Sequence, residues 1–189
     1  MEHIVTYMGE DFMPLTPDEN KIHMGDIAHA LSLLCRANGH ISHFFSIAQH
    51  SINCANEGKA RGYSKRLQLA CLIHDASEAY LSDITRPVKQ FLPEYKEIEK
   101  HLQNIIYMRF LGTPLSGEES ELVDQVDNDM LVCEFDALMK RKVFDDCPAV
   151  LGKLSFEWDG FSETESEFLR LYEEISGVGS GHYSLPNQP

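Results

Sequence analysis

Apolar positions recur along most of this chain at helical rather than strand spacing. From Gly25 to Arg36, Ile27, Leu31 and Leu34 fall on one stripe, with Asp26 placed to cap the helix. From about Phe44 to Ala60, Ile47, Ser51, Cys54 and Ala55 share an inner face. Ser64 can cap a third helix, whose stripe runs through Leu67, Ala70, Cys71, His74 and Glu78. The Arg86-Pro87 pair ends that region, because the residue before proline avoids the helical well. A fourth helix is predicted over about Glu94 to Leu111. A fifth over about 116 to 140 is opened by a Ser116/Glu119 capping box, and a sixth by Ser162/Glu165, ending near Ile175. Only IVTYMGEDFMPL, residues 4 to 15, reads as strand, a short hairpin around Gly9. The predicted fold is mainly α with an N-terminal β-hairpin, in one domain over 1–176. A Gly/Ser/Pro-rich tail follows at 177–189, disordered if alone or docked on a neighbouring subunit. No internal repeat is present.

At 43% hydrophobic and 24% charged, 189 residues suffice for one sizeable core. No apolar run reaches the length of a membrane span, and the first residues lack a basic-then-apolar leader pattern. A cytoplasmic protein is expected. Five cysteines with no CxxC pair argue for thiols in a reducing compartment rather than a disulfide framework or structural zinc. The formal net charge of −14 disfavours nucleic-acid and anionic-membrane partners, but leaves a small anionic substrate open.

The segment LACLIHDASEAYLSDI, residues 69–84, begins as a core helix and then carries His74, Asp75, Glu78 and Asp83. Buried charges persist where something compensates them, and a divalent cation does so well. Two further candidates lie on inward stripes elsewhere: His50 in IAQHSINC, and Asp127 in ELVDQVDNDMLVCEF, flanked by Val123, Met130, Leu131 and Glu134. Asp124 and Asp129 fall on more exposed faces. Two imidazoles and two carboxylates from three helices suit a divalent transition ion such as Zn2+, Mn2+ or Co2+.

The order H…HD…D resembles the signature of the HD superfamily of metal-dependent phosphohydrolases. HDASEAYLSDI is similar to the HDxSE segment of its bacterial 5′-deoxynucleotidases. TYMGEDFMPLTP, DIAHALSLLCRANGH, FFSIAQHS, HDASEAYLSDITRPVK and the VD of LVDQVD look like a phage-associated group, roughly over residues 4 to 140. Some members of that group hydrolyse dATP in phages that replace adenine by diaminopurine. The resemblance implies an HD-domain helical bundle, with His50, His74, Asp75 and Asp127 as metal ligands and Glu78 and Asp83 as catalytic acids. Arg36 would contact substrate phosphate. Arg86 and Lys89, beside Pro87, are further but weaker candidates for a phosphate clamp, since that stretch also reads as a solvated loop.

The implied activity is hydrolysis of deoxynucleoside phosphates, dATP foremost, to deoxyadenosine. The alternatives are a 5′-deoxynucleotidase acting on monophosphates or a hydrolase of a signalling nucleotide; no GYP segment follows the doublet, against cyclic di-GMP. The partner is then a small deoxynucleotide, the protein a homo-oligomer, and the compartment the host cytoplasm if the chain is phage-encoded. Adenine-selective members place an aromatic after the arginine, where Ala37 stands here. Ile41, Phe44 and Phe45, or Met130 and Leu131, could instead wall the base. His40 and His43 read as rim residues.

Overall fold

The structure is a computed structural model that describes residues 2–178; the expected tail lies outside these from residue 179 onward. Among the described residues are a two-stranded antiparallel hairpin and eight α-helices. β1 is Ile4–Val5 and β2 is Asp11–Phe12. The helices are α1 Met24–Leu33, α2 Ile47–Ala60, α3 Lys65–Leu72, α4 Glu78–Leu81, α5 Arg86–Lys89, α6 Pro93–Leu111, α7 Gly117–Leu138 and α8 Phe161–Ser176. The mainly helical fold with its N-terminal hairpin is as the apolar pattern predicts. No helix is long and apolar enough to cross a membrane.

In the hairpin Ile4 faces Phe12 and Val5 faces Asp11. Gly9 sits at φ +88°, a conformation that favours glycine, so the chain can reverse there. Phe12 is fully buried and packs on Tyr80 of α4, 4.4 Å between ring centroids, which ties the hairpin to the bundle. The core lies where α2 packs on α1, α3, α7 and α8. Ile27, Leu31, Ile47, Leu72, Ile73, Leu102, Ile106, Val126, Met130 and Phe168 are completely inaccessible there.

Several helix starts differ from the sequence expectation. α1 begins after His23, and Asp26 is instead a buried first-turn residue whose Oδ1 accepts the Met8 amide at 2.6 Å. α2 starts at Ile47 rather than Phe44, because Ser46 and Gln49 form a capping box. α8 starts at Phe161, and Glu165 pairs with His29 at 3.0 Å rather than closing a box with Ser162. The cap at Ser64 and the capping box at Ser116 place α3 and α7 as expected, Ser64 capping the Leu67 amide and Ser116 pairing reciprocally with Glu119.

The largest departure is in the third helix. It stops at Leu72, and His74, Asp75 and Ala76 form a turn before α4 begins at Glu78. Gln103 of α6 explains how the break survives: its Nε2 donates to Ile73 O at 2.8 Å and its Oε1 accepts the Ser77 amide at 3.0 Å. One side-chain amide thus satisfies a carbonyl before the turn and an amide after it, groups a continuous helix would have paired internally.

The segment from 139 to 160 has no regular structure and lies along α2. A ladder of buried polar residues one turn apart holds it. Gln49 donates to Glu157 O at 2.7 Å, and Asn53 both donates to Ser155 O at 2.9 Å and accepts the Ser155 amide at 3.1 Å. Glu57 accepts the Leu151 and Gly152 amides at 2.9 and 2.7 Å, and Arg61 at 2.7 Å. A Cβ on Gly152 would meet the Glu57 backbone at 3.1 Å, so the strap approaches as closely as glycine allows.

Burial pushes the Glu57 carboxyl up, but Arg61 and the two strap amides outweigh it and hold the group below its ordinary value. Glu57→Ala is expected to cost roughly 2 to 4 kcal/mol at neutral pH, read by urea denaturation, since it strips charge-assisted bonds from two amides and a guanidinium. A depressed carboxylate stabilises the fold above its unfolded pKa of about 4.3 and loses that contribution as pH falls through the folded value. The gap between wild type and variant should therefore narrow in strong acid.

Candidate functional site

His50 lies in the first turns of α2 and is fully buried. Its Nδ1 is 2.6 Å from Oε1 of Glu134, the buried acid of α7. His74 sits in the turn after α3, and its Nδ1 is 2.8 Å from Cys71 O. Both acceptors carry no proton to donate, so each Nδ1 is the protonated nitrogen and each Nε2 presents a lone pair. Those two Nε2 atoms face each other across 3.2 Å.

Two carboxylate oxygens complete the cluster. Asp127 Oδ1 is 3.1 Å from His50 Nε2 and 3.7 Å from His74 Nε2. Asp75 Oδ2 is 3.2 Å from His74 Nε2 and 3.7 Å from His50 Nε2. Donors bound at about 2.1 Å to one centre lie roughly 3.0 to 3.4 Å apart; the 3.1 and 3.2 Å separations match that spacing and the two at 3.7 Å are slightly wider. Without a cation, four acceptor atoms would repel one another. Burial pulls the His74 imidazole down, but Asp75 and Asp127 outweigh it and hold it well above its ordinary value. The cluster draws positive charge, whether protons or metal. Asp75 and Asp127 are both held below the usual carboxylate range; burial opposes this, and the neighbouring imidazoles overcome it.

His50, Cys54 and His74 also form a possible metal-binding group, with one ligand atom from each lying within 4.8 Å of the others. Cys54 Sγ is 3.5 Å from His50 Nε2. Burial, with Asp127 and Glu134 adding to it, pushes the Cys54 thiol well up when no cation is bound.

A cavity of about 500 Å³ opens over the cluster. Arg36, Asp75, Glu78, Asp83, Arg86, Lys89 and Asp127 supply its polar lining, and Ile84, Leu131, Phe135 and Phe144 its apolar wall. The candidate metal ligands, acids and basic residues thus meet at one cleft, the imidazoles beside Asp75 and Asp127 and the rest lining it. Their settings differ from expectation in several respects. Arg36 does not end a helix. It follows an isolated antiparallel bridge between Cys35 and Ser46 and precedes Ala37 and Asn38, both at φ 51°. Its guanidinium lies between Glu134 at 3.2 Å and Asp75 at 3.5 Å. Glu78 is not one helical turn along from His74 but opens α4 beyond the turn.

Burial, then Asp75 and Asp83, push the Glu78 carboxyl well up, and its Oε2 has no hydrogen-bond partner. Asp83 is raised too, chiefly by burial. Lys89 is drawn to Glu99 at 2.7 Å and Glu78 at 3.5 Å. Arg86 belongs to a short helix, not a solvated loop, and holds Asp127 Oδ2 at 2.6 Å and Asn128 at 2.8 Å. Of the residues expected to wall the base, only Leu131 reaches the cleft. Phe45 and Met130 are fully buried, Phe44 packs against Trp158 and Phe161, and Ile41 lines a different cavity with His40. His43 instead pairs with Phe156 O at 2.7 Å.

Sequence reasoning missed two positioning residues. Glu134 joins His50 to Arg36, and its only sequence signal is an acid on the inward stripe of α7, two turns from Asp127. Gln103 carried no signal, being one polar residue on an amphipathic helix. Glu134→Gln should lower metal affinity by about 10- to 100-fold by loosening the His50 ring, measured by chelator competition, while Asp127→Ala should abolish binding.

No family model matches the chain. The Escherichia coli protein YfdR, named as uncharacterized, is 33% identical over 126 residues, covering 67% of this chain and 68% of YfdR. An uncharacterized protein of Rhodobacter capsulatus is 37% identical over 106 residues, 53% of each chain. With a third of its residues identical over two thirds of both chains, the protein belongs to the family of YfdR.

Proposed function

We propose that this protein is a metal-dependent phosphohydrolase of the HD type acting on deoxynucleoside phosphates, with dATP the foremost candidate. The observation that carries the reading is the convergence of His50 Nε2, His74 Nε2, Asp75 Oδ2 and Asp127 Oδ1, at 3.1 to 3.7 Å, beside a cleft that also holds basic residues and an apolar wall. Asp75, Glu78, Asp83 and Asp127 crowd one cleft, and the mutual repulsion that helps hold the Glu78 proton on is one that a divalent ion would relieve. The donor set fits Co2+, Zn2+ or Mn2+.

A divalent ion held by His50, His74, Asp75 and Asp127 would supply a Lewis acid for a phosphoryl oxygen and would lower the pKa of water at the site. The chain's own residues divide the remaining work. Arg36, fixed by Glu134 and Asp75, presents a guanidinium whose fork matches phosphate oxygens. Glu78 lines the cleft and keeps its proton above the usual carboxylate range, and in this reading it is the acid that protonates the leaving 5′-oxygen. Asp83 lies close enough to Glu78 to raise its affinity for that proton. Ile84, Leu131, Phe135 and Phe144 offer the base a dry surface.

One observation favours a monophosphate instead. Arg36, Arg86 and Lys89 are each already paired with a carboxylate, so little free positive charge remains for a triphosphate. A panel of deoxynucleoside mono- and triphosphates, read by released phosphate, pyrophosphate or triphosphate, separates the two. Release of none of these from any nucleotide overturns the phosphohydrolase reading.

Asp75→Ala should lose both the metal, by elemental analysis, and hydrolysis. Glu78→Gln should keep the metal and cut turnover by about 10² to 10⁴. The same substitution should raise the melting temperature of metal-free protein at neutral pH. A carboxyl raised in the folded state binds its proton more tightly than the unfolded chain does. Stability therefore falls as pH climbs from about 4.3 to the folded value, and glutamine removes that loss. The difference should vanish below about pH 4.

A further inference from the structure

Outside the cleft's polar lining, the structure brings two cysteines together. Cys133 is buried on the α7 face next to Glu134, and Cys147 is exposed on the strap. Their sulfurs are 3.2 Å apart, closer than two unbonded sulfurs ordinarily rest. Cys54 and Cys71 are buried in the core, and Cys35 is half-buried in the loop after α1. Cys147 is thus the exposed thiol among the five, and its nearest sulfur belongs to a second thiol.

The chain between the pair carries Phe144. That ring packs on Phe135, 5.8 Å between centroids, and both line the cleft. A bond between the sulfurs would close the loop from 133 to 147 and hold this wall against α7. Farther along, the strap is already pinned by Asn53 and Glu57 from residue 151 onward. Among the described residues, no α2 side chain of that ladder reaches the stretch from 140 to 149, where the cysteines and Phe144 contact α7.

We propose that Cys133 and Cys147 are a reversible thiol–disulfide pair that fixes the Phe144 wall of the cleft when oxidised. Oxidised glutathione is a sufficient oxidant. The Cys147 thiolate attacks one glutathione sulfur, the glutathione S–S bond breaks, and one glutathione leaves as thiolate. Cys133, as its thiolate, then attacks Cys147 Sγ, the mixed S–S bond breaks, and the second glutathione leaves. The two protein thiols lose two protons and two electrons, and the oxidant becomes two glutathione thiols. Burial, together with the neighbouring Cys147 sulfur, pushes the reduced Cys133 thiol up to about 12, which makes exposed Cys147 the point of entry. This pair does not depend on the phosphohydrolase reading, because its geometry needs neither metal nor substrate.

The test equilibrates the full chain in glutathione buffers of graded ratio, traps free thiols by alkylation and maps cross-linked peptides by mass spectrometry. The expected result is a fall from five alkylatable thiols to three, with one cross-link joining 133 to 147 and full reversal in excess reduced glutathione. Cys133→Ser should stop at a persistent glutathione adduct on Cys147, and Cys147→Ser should form no cross-link at 133. Amide hydrogen exchange over 139–148 should slow on oxidation in wild type and should not slow in either variant. A stable wild-type glutathione adduct at Cys147, a cross-link involving other cysteines, or unchanged exchange after oxidation overturns the proposal.

Discussion

Two imidazole lone pairs held 3.2 Å apart, with two carboxylate oxygens closing on them, form an arrangement that repels itself unless positive charge sits among them. Much of the bundle is arranged to hold those four atoms in place. Glu134 and Cys71 O fix the ring tautomers, so that the lone pairs point inward rather than toward solvent. Arg36 closes on Glu134 and Asp75 from one side, and Arg86 on Asp127 from another. Each second partner limits the rotation of a first, which is how a site made from three separate segments keeps its geometry.

The break between α3 and α4 belongs to the same device. A continuous helix would have carried His74 and Asp75 about 100° apart around its axis, aimed in different directions. The turn brings their side chains to a common centre, and Gln103 supplies the hydrogen bonds that the break removes. Similar use is made of strained backbone nearby. Ala37 and Asn38 follow Arg36 at positive φ, and Ser82 precedes Asp83 at φ 71°. Non-glycine residues hold such conformations only where the surroundings fix them, and both sites flank the cleft.

The strap along α2 shows a second organising rule. Its backbone lacks a ladder of its own, so buried side chains of α2 stand in for one. The residues that do so, Gln49, Asn53 and Glu57, occupy the helix that also carries His50 and Cys54. The strap returns to the cleft through Phe144, so the apolar wall and the histidine helix are coupled through a segment with no regular structure.

Much of this was written in the one-dimensional pattern. Apolar spacing alone yields the long helices and the hairpin, because burying a stripe or an alternating face dictates the local period. The inward position of His50, the His74-Asp75 doublet and Asp127 was legible for the same reason: a polar residue on an apolar stripe is conspicuous. Where those side chains meet was not legible. Their convergence depends on crossing helices, on a turn stabilised by Gln103 from a distant helix, and on Glu134, whose partners lie 84 and 98 residues away along the chain. The apolar wall is the same case: Phe44 and Phe45 look well placed by sequence, yet packing sends them elsewhere and brings Phe135 and Phe144 forward. Local spacing fixes which face a residue occupies, whereas contact between faces is decided by long-range packing and by which buried polar groups find partners.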